Sequence, residues 1–243
     1  MGWQSLGAGG KSWGEEEIGV TTEFVLLDKT DSGAAWRYAL IALAVFLISE
    51  SISTLIFRYC ENRNYLEFVI LISIKTLIFW WIVPLLIVYK IENRDIKFLG
   101  LVIARGKYLI YALYAFAALI IPLILLGYKE YYPMEFVEQI LYIGFPEEVF
   151  YRGFLMTRMC QWLGKYKGLL AASLIFGFGH IVSRLADQGF GYFFPATYIG
   201  LQTFFGGLIF GYIYIRAKNI WPSGILHVST NMYIQDMIST FTS

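Results

Sequence analysis

The chain has 243 residues, 58% of them apolar and 15% charged, with a mean hydropathy of +0.59, whereas soluble domains have about 25% charged residues. Its 19 basic and 18 acidic side chains leave a net charge of +1, which removes the electrostatic case for a nucleic-acid partner. These values point to an all-α polytopic transmembrane helix bundle, because apolar runs of about 20 residues recur from Trp36 to near the C-terminus.

Residues 1–35 read as an acidic tail, glycine-rich and carrying six acids against two lysines, and residues 36–243 as one membrane-embedded domain. The tail lacks the basic start and apolar core of a signal peptide. Spans are expected over 36–57 and 65–89, both long enough to cross the hydrocarbon core. Over 90–107 charges alternate with Ile, Phe and Leu, as in KIENRDIKFLG, which suits an interfacial segment. The next span covers 108–127, with Pro122 placed to kink or end it. Residues 134–164 form a long apolar helix interrupted by Glu135, Glu138, Glu147, Glu148, Arg152 and Arg158, and it can break at Gly144 to Pro146. A helical Pro146 would deny the Tyr142 carbonyl its donor. Further helices are expected over 168–185, 197–215 and 222–240, making about seven in all, or about six to eight depending on that break. Gly207 and Gly211, four apart, allow close helix packing. Cys60 and Cys160 lack the spacing of a disulfide framework or a thiolate metal site.

An ionisable side chain within a span costs at least a few kcal/mol, so it needs a partner, a polar cavity or a function. In GFPEEVFYRGFL, Glu148 and Arg152 are four apart in the favourable order for a helical ion pair. Glu147 is rotated by about 100° and cannot use Arg152 as easily. One carboxylate is thus anchored and one left available, as acid/base chemistry requires; the plainer alternative is that both only bond Arg152 or neighbouring helices. The only two histidines, His180 after FGFG and His227 in HVSTN, fall in predicted helices. There an imidazole is costly to bury and can move a proton near pH 7, although each could simply bond across helices. Asn231 lies one turn after His227, on the same face. Glu147, His180, His227 and Asn231 make a hydrolytic set without a Ser or Cys nucleophile. A carboxylate and an imidazole can deprotonate water, while a second imidazole and an amide donate to an oxyanion.

The ordered motifs Glu147-Glu148-xxx-Arg152, Phe176-xxx-His180 and His227-xxx-Asn231 resemble those of the CPBP (Abi) family of intramembrane proteases, which includes the type II CAAX prenyl endopeptidases. The motif core spans 147–231. The resemblance implies an intramembrane endopeptidase with Glu147 as general base, His180 as its partner on water, and His227 with Asn231 as the oxyanion site. Glu148, Arg152 and Phe176 would support them. It implies a membrane-tethered peptide substrate, prenylated or not, in contact with the bilayer, and no cofactor. The shorter chain favours a prokaryotic cell membrane over the endoplasmic reticulum. A zinc-dependent variant would use Glu147, His180 and His227 as ligands, although the sequence has no HExxH motif. Two other readings stay open: a non-catalytic immunity protein of the same fold, and a small proton-coupled transporter.

Overall fold

The computed structural model describes residues 32–61, 63–102, 106–127 and 132–242, so residues 1–31 of the expected tail lie outside the described residues. Within these limits the secondary structure is helical, with no strand. The helices are α1 (Ser32–Cys60), α2 (Tyr65–Ile91), α3 (Lys107–Gly127), α4 (Tyr132–Leu141), α5 (residues 144–163), α6 (Lys165–Gln188), α7 (Phe193–Ala217) and α8 (Ile220–Thr242). Seven are long and α4 has only 10 residues, which matches the expected bundle. Four runs are long and apolar enough to cross a membrane: Ala34–Cys60, Tyr65–Ile91, Lys165–Gln188 and Phe190–Ala217.

Helix α1 starts at Ser32, ahead of Trp36, and α3 covers the expected 108–127, running through Pro122 to Gly127. The expected 134–164 helix is divided at Tyr142 and Ile143 into α4 and α5. Pro146 therefore stands in the first turn of α5, where a missing N–H removes no intrahelical bond. The predicted loss at the Tyr142 carbonyl does not arise, because no continuous helix runs through it.

Helix α5 is the centre of the molecule. Every residue from 144 to 160 is buried, as expected of a helix enclosed on all sides. One side packs Phe150, Phe154, Leu155 and Met159 against Ala39, Ala42 and Phe46 of α1 and Trp80 and Val88 of α2. Another packs Phe145, Val149, Met156 and Cys160 against Leu169, Tyr214 and Ile220. Helices α6 and α7 approach closely: a Cβ on Gly207 would meet the Ser173 Cα at 3.2 Å, the small-residue packing read from the sequence.

The segment after α2 sends Glu92 and Leu99 into the bundle while Asp95, Ile96 and Lys97 stay exposed. Glu92 forms a fork with Arg158 of α5, Nε to Oε1 and Nη2 to Oε2 both at 2.8 Å. Arg158 Nη1 donates to the Gly153 and Phe154 carbonyls. Leu99, at the end of a short 3₁₀ turn (Ile96–Leu99), is fully buried, and its carbonyl lies where a Cβ on Gly153 would fall. The Gly100 carbonyl then accepts from the Ile220 N–H at 3.2 Å and fixes the start of α8.

Candidate active site

Glu147 lies in the first turn of α5 and Glu148 follows it. Carboxylates are favoured there by the exposed N–H groups of a helix start. From Glu148 to Met156 the helix widens into a π-helical stretch of 9 residues, a local distortion frequent at functional sites.

The structure gives the two acids different surroundings. Glu148 is fully buried, with Oε1 2.9 Å from Arg152 Nη1 and 2.8 Å from His227 Nδ1. Arg152 also lies 4.3 Å over the Phe176 ring. An ionised carboxylate can only accept, so His227 donates from Nδ1. Nε2 of His227 is then turned toward Glu147, 3.6 Å from Oε2, beyond hydrogen-bond length. Phe210 stacks on the His227 ring at 4.8 Å and 24°. Oε2 of Glu147 has no hydrogen-bond partner among the described residues.

Glu147 faces a cavity of about 550 Å³ between α1, α2, α4, α5 and α6, and His180 stands on the same wall. Nδ1 of His180 lies 3.0 Å from the Phe176 carbonyl. A carbonyl accepts, so this contact places the proton on Nδ1 and leaves Nε2 an acceptor when the ring is neutral. No direct hydrogen bond joins His180 to Glu147. Phe176 connects the parts, with its ring centroid 4.7 Å from His180, 6.1 Å from His227 and 4.6 Å from Tyr151. Gly179, beside His180, leaves room for Phe46 and Tyr151, which a Cβ would meet at 3.1 and 3.2 Å.

The predicted set is thus gathered in part. Glu147 and His180 line the cavity, while His227 and Asn231 stand outside its lining, with His227 Nε2 3.6 Å from Glu147 Oε2. Asn231 donates from Nδ2 to Gln139 Oε1 at 2.8 Å. Gln139, which is buried, was not foreseen, since only the docking of α4 on α8 brings it there. Glu50 of α1 and Lys75 of α2 were also missed, and both line the cavity. A signal for them existed: each is ionisable within a predicted span. Each also lies ten residues from the α1–α2 turn, Glu50 before Cys60 and Lys75 after Tyr65. This sets them at matching depth, about 15 Å from the turn.

Among the described residues no three His, Cys, Asp or Glu side chains are grouped to hold a metal ion.

The model of the family described as Type II CAAX prenyl endopeptidase Rce1-like matches residues 129–233. That stretch contains the whole motif core and begins just ahead of α4. No curated protein and no solved structure matches the chain. Together the family match and the membrane-length helices support an integral membrane protease of this family.

Proposed function

With residues 129–233 identified as an Rce1-like CAAX protease domain, we propose that the chain is an intramembrane endopeptidase in which Glu147 activates water directly. The observation that carries this reading is the buried Glu147 carboxylate, unpartnered at Oε2 and facing the same cavity as His180. A water between Glu147 and His180 Nε2 would be oriented by both groups. Glu147 takes its proton as the oxygen attacks the carbonyl carbon of a membrane-tethered peptide, then returns a proton to the departing amine as the C–N bond breaks.

His227 and Asn231 supply N–H donors for the tetrahedral oxyanion. Neither lines the cavity, so the scissile carbonyl must reach past its wall to meet them. Glu148 holds the His227 ring with Nε2 toward the reacting groups and balances its charge when both nitrogens are protonated. Arg152 keeps Glu148 in place from one turn away.

The test is cleavage of a panel of membrane-tethered peptides, prenylated ones included, by purified protein in detergent. Glu147→Gln and His180→Ala should each lower kcat by about 10²- to 10⁴-fold, with the variants still folded. Cleavage that persists in Glu147→Gln would sink the glutamate mechanism.

A further inference from the structure

The cavity has a second charged feature that hydrolysis does not use. Lys75, at the middle of α2, is 5% exposed and lines the same cavity as Glu147. Its Nζ lies 4.0 Å from the Trp80 ring centroid, and the Trp80 indole N–H is held by Ser49 Oγ at 3.2 Å. No hydrogen bond or ion pair engages this ammonium among the described residues. Glu50 and Glu147 are near enough to interact electrostatically with it, and they offset its charge without occupying its three donors.

An ammonium held over an aromatic face, with its donors open to a cavity, is prepared for an anion. From this geometry we infer that Lys75 binds a carboxylate of the substrate and so determines which peptides enter. The carboxylate is either the substrate's C-terminus or an acidic side chain near the cut. The inference rests on the peptidase reading, with Lys75 acting on binding and Glu147 on the bond. It fits the shape of the site, because one cavity reaches both residues, so the bound carboxylate and the scissile carbonyl belong to one short stretch of chain.

The experiment measures binding to the Glu147→Gln protein in detergent, so that no cleavage is needed. The probe is an S-farnesylated short peptide in three forms: free C-terminal carboxylate, C-terminal amide, and amide with one glutamate beside the cut. One carboxylate form should bind about 10- to 100-fold tighter than the plain amide, as expected of a charge-assisted hydrogen bond. Adding Lys75→Met or Lys75→Gln should collapse that ratio to near one, whereas Lys75→Arg should keep it. Equal affinity for all three forms, or a preference that survives either neutral substitution, overturns the inference. Cleavage by the wild-type protein is scored separately: discrimination without cleavage refutes the peptidase reading, and cleavage without discrimination refutes only the role of Lys75.

Discussion

Replacing Glu92 by Ala removes the only carboxylate that the Arg158 fork reaches among the described residues. The Arg158 side chain is fully buried and that of Glu92 is 2% exposed, with two contacts of 2.8 Å between them. The Gly153 and Phe154 carbonyls and the Phe154 ring, 4.4 Å away, remain but carry no full negative charge. Leaving a buried guanidinium without its anion costs about 3–5 kcal/mol, a loss of roughly 6–20 °C in Tm for a chain of this size. Thermal unfolding in detergent, followed by tryptophan fluorescence, reads the shift. An internal comparison is Glu67→Ala, which breaks the Arg63 pair at 3.3 Å with both side chains about half exposed; its cost should stay within about 1 kcal/mol. The double variant Glu92→Ala, Arg158→Met should regain most of the loss, because the stranded charge is gone. A Glu92→Ala cost no larger than that of Glu67→Ala, or a double variant no better than the single, would show that α5 is not held by this pair.

Asn231→Ala should lower kcat by about 10²- to 10³-fold if its amide serves the oxyanion, with KM little changed; steady-state kinetics on the best-cleaved peptide would reveal a purely structural role as a stability loss with normal kcat. Treatment with a strong chelator should leave cleavage unchanged, and activity that falls and returns with added zinc would contradict the direct action of Glu147 on water.

Much of the bundle was legible because a span is a long local signal. Apolar runs located six of the seven long helices to within a few residues at each end, while the run over 134–164 is divided into α4 and α5. Glu148 and Arg152 were paired correctly because an i, i+4 contact lies within one helix. What escaped depended on contacts between helices. The bond from Glu148 to His227 links α5 to α8, and Gln139 meets Asn231 only because α4 docks on α8. The division at Tyr142 and Ile143 was nearly visible, since a break was expected at Gly144 to Pro146, next to it. Glu92 lies in the segment read as interfacial, and its partner, 66 positions away, has no local signal. Glu50 and Lys75 were overlooked although their equal distance from the α1–α2 turn already marked them as neighbours.

The cavity wall is drawn from two stretches of the chain. Glu147 and His180 belong to the matched segment, whereas Glu50, Lys75 and Trp80 come from the hairpin of α1 and α2 that precedes it. The groups proposed to act on water and those proposed to meet the incoming chain therefore lie in separate stretches of sequence. Changes in the hairpin can retune what is admitted while leaving the hydrolytic residues as they are, so one reaction centre can be fitted with different entrances.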